Sequence, residues 1–412
     1  MPSPLQLSLV TFRKGSYIIV EGKQRADNFF ILQTGQVRVS KEAEIVEEQG
    51  GTMLKPGDFF GVVSTMSAHS HIETAQALTD VSLIAVKREQ YGVLIEKNTP
   101  VAIKIIQQFA RRTRYLDQAL TRLTLKSTAT ESPTHLFKVA ECYARQNQYN
   151  LAYYAYYRYL QYCPNDENVE RAKERIAKIK PYAKVVYLNQ ESAQFTRTYP
   201  KDTMIFSEAE PGSELYIIQQ GTVKISKIVD DKEVLIALLP AGEIFGEMAL
   251  LENKPRSASA IAHEDVTLLA VNKQNFELMI RKQPQLITRL TTLLADRIWF
   301  AYKQLANALI DDPLGRLYDY LWLQLEKNRV PIAKNGSYTF DFGPKELLNM
   351  VGLTTKEGSD LMRRLFEDKR LKVIDSRIFT ADVEEIQKQA EYYKKMQKIE
   401  AARRERSQQL NA

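Results

Sequence analysis

The chain has 412 residues, of which 44% are hydrophobic and 26% charged, enough for two to four domains with sizeable apolar cores. Seventeen Gly and 15 Pro exclude a fibrous or broadly disordered chain, and two cysteines, Cys142 and Cys163, exclude a disulfide scaffold or a thiolate zinc cluster. A formal net charge of +7 fits nucleic acid or anionic small-molecule partners, but over this length it is equally an ordinary solvated surface.

No run of 18 apolar residues is present, so no membrane span is expected. The N-terminal stretch has no basic segment ahead of its short apolar run, so no signal peptide is expected either. A cytoplasmic, reducing setting suits the sparse cysteines.

In chain order, the first signal is a repeat. TFRKGSYIIVEG (11–22), FFILQTGQVRVSK (29–41) and KPGDFFG (55–61) are echoed by TYPKDTMIFSEA (198–209), LYIIQQGTVKISK (215–227) and PAGEIFG (240–246). Each copy strings short Val/Ile/Tyr/Phe runs between Gly, Pro and Asp, the pattern of an all-β barrel or jelly roll. Each then ends in a helical run, at 101–125 and 284–310. The second has Ile287, Leu290, Leu294, Ile298, Ala301 and Leu305 on one stripe. Between the copies, small and aromatic residues recur at helical spacing (Ala140, Tyr143, Tyr149, Ala152, Tyr156) and stop at Cys163-Pro164, with a charged helix at 167–180.

After the second copy, Asp311-Asp312-Pro313 reads as a hinge and Asp312 as the cap of a new helix at 314–326. A strand with alternating Tyr338, Phe340 and Phe342 follows the Asn335-Gly336 turn. Then come a short helix at 344–350, a longer one to Phe366, and a hairpin at 373–380. That order predicts a winged helix-turn-helix, whose second helix enters a DNA major groove. The domains are expected at 1–126, 127–182, 183–311 and 312–383, with a charged helical tail at 384–412. The fold class is multidomain α+β: two β-rolls, a small helical spacer and a winged helix.

The chemistry concentrates in GEIFGEMALLENKPRSASAIA (242–262). Gly242 and Gly246 allow tight turns. The run from Glu247 to Leu251 can start a short helix whose free N–H groups suit an anion. Arg256 offers a guanidinium fork for two phosphate oxygens, Ser257 and Ser259 offer hydroxyls, and Glu247 suits a ribose hydroxyl. A hairpin carrying a surface arginine is the plainer alternative.

FGEMALLENKPRSASA resembles the phosphate-binding cassette of cyclic-nucleotide-binding domains, the family of the bacterial cyclic AMP receptor protein and of protein kinase A regulatory subunits. The resemblance implies that Glu247 binds the ribose 2′-hydroxyl, Arg256 the cyclic phosphate and Ser257 a phosphate oxygen. Backbone N–H groups around Gly246, Glu247 and Met248 complete the cradle. It implies cyclic AMP or cyclic GMP as effector; no metal is expected, because the chain has four histidines in all and His135 and His263 fall in unrelated elements. In this family the following helix covers the base, and counting along 284–316 puts Ala301 and Tyr302 at the base-facing positions. Tyr302 can stack on a purine, or be a tyrosine of the core or a dimer seam.

In the first copy (57–77), aligned on the glycines, Val62 stands where Glu247 stands, His71 where Arg256 stands and Ile72 where Ser257 stands. A histidine of ordinary pKa is mostly neutral near pH 7 and grips phosphate poorly. The first roll is therefore expected to be degenerate for cyclic nucleotide. The alternative is a second ligand site at His69 and His71, two residues on one side of an extended strand.

Residues 315–383 resemble the DNA-binding domain of cyclic AMP receptor protein and FNR-type regulators. The resemblance puts Thr355, Lys356 and Asp360 at base-reading places, and Lys345, Thr354, Arg363, Arg364 and Arg377 are candidates for backbone contacts. Asp360 departs from the basic residue usual there, and eight basic against six acidic residues over 345–377 make a lean footprint for double-stranded DNA. Residues 134–160 resemble one tetratricopeptide unit, which implies a rigid spacer or a docking surface for a protein partner at 134–180. A homodimer through 284–310, or an intramolecular pseudo-dimer pairing 101–125 with 284–310, is expected. No Ser/His/Asp set, Walker loop or metal quartet is present, so the chain reads as a binder and not an enzyme. The overall expectation is a cyclic-nucleotide-responsive transcription regulator, with a nucleotide-sensing signalling adaptor as its rival.

Overall fold

Short alternating strands closed by glycine turns build the first roll: β1 (Ser8–Phe12), β2 (Tyr17–Ile19), β3 (Asn28–Thr34), β4 (Val37–Ser40), β5 (Thr52–Leu54), β6 (Phe59–Phe60), β7 (Thr74–Ala77) and β8 (Val81–Lys87). A short helix, α1 (Val62–Ser67), lies between β6 and β7. Two antiparallel sheets, ordered β1-β8-β3-β6 and β2-β7-β4-β5, close on Ile19, Leu32, Val37, Phe60, Ala75 and Leu83. This is a computed structural model, and it describes residues 7–22, 26–42, 51–125, 132–183, 195–229, 231–333, 336–353 and 355–410.

Helices α2 (Tyr91–Lys97) and α3 (Thr99–Leu125) follow, then the spacer helices α4 (His135–Arg145), α5 (Tyr149–Tyr162) and α6 (Val169–Ile179). The second roll repeats the first. It comprises β9 (Thr196–Tyr199), β10 (Met204–Phe206), β11 (Glu214–Gln220), β12 (Val223–Val229), β13 (Lys232–Leu239), β14 (Ile244–Phe245), α7 (Glu247–Glu252), β15 (Ser259–Ala262) and β16 (Val266–Asn272). Its sheets run β14-β11-β16-β9 and β10-β15-β12-β13, the same order as in the first copy. The turn glycines behind this repeat are Gly35 and Gly221, at φ +90° and +82°. A Cβ on either would stand 2.5 or 2.4 Å from the carbonyl of Asp80 or Asp265, so only glycine fits. Helices α8 (Lys273–Lys282) and α9 (Pro284–Ala308) end this copy.

The C-terminal part comprises α10 (Pro313–Lys327), β17 (Tyr338–Thr339), α11 (Pro344–Met350), α12 (Thr355–Phe366), β18 (Leu371–Ile374), β19 (Arg377–Thr380) and α13 (Val383–Leu410). Asp312 caps α10 as expected, its Oδ1 accepting from the Leu314 and Gly315 amides at 2.8 and 3.3 Å. Three antiparallel strands, ordered β17-β19-β18, form a small sheet. Helix α12 seats tightly on α11: a Cβ on Gly358 would meet Leu348 Cδ2 at 2.4 Å. The tail helix α13 is more than a solvated end. Ile386 and Ala390 are buried, Tyr393 stacks on Tyr318 with centroids 6.0 Å apart, and Lys394 pairs with the buried Asp319 of α10.

The chain divides into two compact units. One takes Glu89–Gln118 and Ser127–Leu294; the other takes Gln6–Arg88, Ala119–Lys126 and Ala295–Ala412, as far as each is described. The expected boundaries 1–126 and 183–311 are cut across. The second roll groups with most of α3, which follows the first copy, and the first roll groups with the part of α9 from Ala295 onward. The spacer shares a core with the second roll, in which Tyr143, Ala152 and Tyr156 continue into Met204, Ile228 and Ile261. Both cysteines are free thiols. Among the described residues no helix is long and apolar enough to cross a membrane.

Candidate functional site

In the second roll, β14 runs into Gly246, whose left-handed backbone (φ +76°) turns the chain directly into α7. Asn253, also left-handed at φ 55°, ends that helix, and three residues later Arg256 enters the site. Two main-chain bonds tie Arg256 to the loop after β10: its amide donates to the Glu210 carbonyl at 2.8 Å, and its carbonyl accepts from the Ala209 amide at 2.9 Å.

The Arg256 side chain is 6% exposed. Its Nη1 donates to the Gly246 carbonyl at 2.6 Å, and its guanidinium carbon lies 4.1 Å from the Phe206 ring centroid and 5.8 Å from that of Tyr216. Phe206, Tyr216 and Phe245 pack on one another beneath it. The Nε atom has no hydrogen-bond partner among the described residues, and no described carboxylate forms an ion pair with this guanidinium. A buried cation with an unmet donor is costly unless an acceptor arrives, so the arrangement can take up an anion. Gly212 makes room: a Cβ there would stand 2.3 Å from Arg256 Nε.

The other expected cradle residues gather here. Glu247 is buried at the start of α7, while Met248 and Ser257 are half-buried on either side of the turn. Ser259 is spent elsewhere, its hydroxyl accepting from the Glu208 amide at 3.0 Å.

Several residues behind the cradle escape sequence reading. The buried Glu210 accepts from the Ser207 amide at 3.0 Å and from the Tyr154 hydroxyl, and it pairs with Arg158 Nε at 3.2 Å. Tyr154 and Arg158 both belong to spacer helix α5. Burial pushes the Glu210 carboxyl upward, and Arg158 and Arg256 oppose this. From α3, Arg114 Nε donates to Glu252 of α7 and its Nη1 to the Pro255 carbonyl at 3.0 Å, next to Arg256. Both side chains of that ion pair are under 5% exposed. No local signal joins Arg114 to a cassette more than a hundred residues away; only the fold does.

The first roll repeats the turn but not the chemistry. Gly61 takes φ +78° ahead of α1, and Val62 and Ile72 are buried apolar groups. His71 is 3% exposed, with Nδ1 lacking a partner among the described residues. Burial pushes its pKa below the usual histidine range. His69 turns elsewhere. Its ring stacks on Trp299 with centroids 4.0 Å apart, and its Nε2 lies 3.6 Å from Asp296 Oδ1. The two histidines therefore do not form a shared ligand face. Residues 68–73 are a turn opened by Ala68 at φ 54°, not the extended strand expected. Tyr302 is buried in the unit of the first roll, where its hydroxyl donates to Glu21 Oε1 at 2.8 Å.

In the C-terminal part, Lys345, Arg363, Arg364 and Arg377 are exposed. Asp360 is 84% exposed at its side chain and lies 3.4 Å from Arg363; Arg377 lies 3.6 Å from Asp341. Thr354 lies outside the described residues, as do the side chains of Thr355 and Lys356.

Comparison with known proteins agrees with the duplicated roll. The cyclic nucleotide-binding domain matches residues 9–98 and 196–283, one match per roll. The cyclic AMP receptor protein of Thermus thermophilus is 31% identical over 173 residues, covering 42% of this chain and 77% of that protein. A CRP-like cAMP-activated global transcriptional regulator of Mycobacterium tuberculosis is 30% identical over 157 residues, covering 37% of this chain and 69% of the relative. The cAMP-dependent protein kinase regulatory subunit of Pyricularia oryzae is 33% identical over 85 residues, 21% of each chain. The chain belongs to the cyclic AMP receptor protein family and carries two copies of its cyclic nucleotide-binding domain.

Proposed function

We propose that the chain is a cyclic-nucleotide-responsive transcription regulator. Its second roll binds one cyclic purine mononucleotide, cyclic AMP or cyclic GMP, and residues 312–383 act as a winged helix-turn-helix on double-stranded DNA. The observation that carries this reading is Arg256: a buried guanidinium with an unpartnered Nε, held beside the turn at Gly246 and over an aromatic floor. The cyclic phosphate accepts from Arg256, from Ser257 and from backbone N–H groups near Met248, and Glu247 accepts from the ribose 2′-hydroxyl. The low-dielectric floor strengthens each of these bonds.

Occupancy reaches the rest of the molecule through the cassette's supports. Arg114 grips the carbonyl next to Arg256, so anything that shifts the cassette is felt by α3. Ligand then favours one of two pre-existing states by its differential affinity.

A second reading, a nucleotide-sensing adaptor that contacts proteins through 134–180, is favoured by one observation. The acidic Asp360 stands exposed on the helix that would enter the groove, 3.4 Å from Arg363. Salt-titrated binding to duplex DNA separates the two. The regulator binds with an affinity that falls steeply as salt rises, and Arg364→Ala or Arg377→Ala weakens it uniformly across sequences. Salt-insensitive or absent binding, with and without cyclic nucleotide, supports the adaptor.

A further inference from the structure

The two rolls share the turn at Gly61 and Gly246, yet differ in what stands two residues beyond the His71 and Arg256 positions. There the second roll has Ala258, with no side-chain acceptor, and the first roll has Glu73. Glu73 is buried, and its Oε1 accepts from the Gly61 amide at 2.7 Å. His71 lies at the same turn: its Cε1 is 3.7 Å from where a Gly61 Cβ would stand. This mirrors Arg256, whose Nη1 is 2.7 Å from the Gly246 Cβ position.

We propose that Glu73 is the specificity-determining residue of the first roll: a tethered carboxylate that takes the backbone amide of the cradle and excludes a nucleotide phosphate from it. The inference rests on reading the matching segment of the second roll as a phosphate cradle. A carboxylate and a phosphate oxygen compete for one N–H, and two buried anions at that separation repel strongly. The neutral His71 supplies no compensating charge. The first roll therefore keeps a self-satisfied turn, and the chain takes one cyclic nucleotide. This goes further than the loss of an arginine, since restoring the arginine alone leaves the cradle amide occupied.

The test has two arms on the full chain. Hydrogen exchange at the Gly61 amide needs no ligand. Glu73→Ala speeds it at least tenfold and Glu73→Gln, which keeps an acceptor, speeds it less; exchange unchanged in Glu73→Ala overturns the proposal. In the second arm, calorimetry with cyclic AMP and cyclic GMP uses an Arg256→Ala background, so that the second roll is weakened and its residual binding is the baseline. The rebuilt first roll Val62→Glu/His71→Arg/Ile72→Ser adds nothing to that baseline while Glu73 is retained and gains one site when Glu73→Ala is added. Equal behaviour of the two rebuilt chains, both shown folded by circular dichroism, overturns the proposal. Failure of the phosphate-cradle reading is seen separately, as absent binding to the unaltered chain with the exchange arm intact.

Discussion

Arg256 owes its position to neighbours that contribute no charge. Gly212 and Gly246 leave space for the guanidinium, and the loop at Ala209 and Glu210 holds its backbone. Gly212→Ala places a methyl 2.3 Å from Nε and must push the side chain aside. Cyclic nucleotide affinity then falls more than tenfold in calorimetry, with an unfolding temperature close to that of the unaltered chain; an unchanged affinity contradicts the geometry described. The gathering of Gly246, Glu247, Arg256 and Ser257 at one turn was legible in the sequence because they lie in one segment. Gly212, Glu210 and Glu73 were not, because each acts only once a loop or strand folds back on the cradle. The Glu21 partner of Tyr302 was hidden as well, because counting along a helix gives a position but not a partner.

A second residue-scale consequence concerns acid. The pKa of His69 is lowered to about 4, first by burial and then by Arg329, Lys303 and Arg88, and the Asp296 carboxylate at 3.6 Å does not reverse this. A histidine depressed in the folded state contributes fully above its ordinary value of 6.5, and the contribution is lost as pH falls from there toward 4. Thermal unfolding followed from pH 7.5 to 4.5, in steps of about half a unit, checks this against His69→Phe, which keeps the stack on Trp299. The variant loses less stability on the acid side. Parallel curves for the two proteins contradict the prediction.

At the scale of elements, the ion pair between α3 and α7 is the support most exposed to failure. Arg114 and Glu252 are both buried, so Arg114→Ala leaves a carboxylate without its cation and costs about 3–5 kcal/mol. Lysine rescues poorly, since it cannot reproduce the fork that reaches both Glu252 and the Pro255 carbonyl. Arg114→Met/Glu252→Met restores most of the stability, because the buried charge is gone. Denaturant unfolding of the three variants checks this, and a double variant no better than Arg114→Ala contradicts it. The helical periods of α3, α5 and α9 were plain from sequence, as was the cap at Asp312. What each helix packs against was not, because an apolar stripe identifies a buried face without naming its cover. Hence the spacer, read as a separate piece, turned out to share the core of the second roll through Met204, Ile228 and Ile261.

At the scale of the whole molecule, the duplication was visible because strands, turn glycines and the cassette recur in the same order, and both rolls repeat one sheet topology. The grouping into units was hidden, because it joins segments far apart in the chain: the second roll with Glu89–Gln118, and the first with Ala295–Ala412. A duplicated chain has two mutually compatible ways to match rolls with helices, and local pattern does not distinguish them. The two copies differ at the turn: in one Arg256 donates to the Gly246 carbonyl, and in the other Glu73 accepts from the Gly61 amide.

The central claim is that the second roll alone closes on a cyclic phosphate through Arg256. Calorimetry of the full chain with cyclic AMP and cyclic GMP tests it most directly, comparing the unaltered protein, Arg256→Ala and Arg377→Ala. One nucleotide is expected per chain, with an affinity at least tenfold weaker in Arg256→Ala and unchanged in Arg377→Ala. Binding that survives Arg256→Ala undiminished would contradict it.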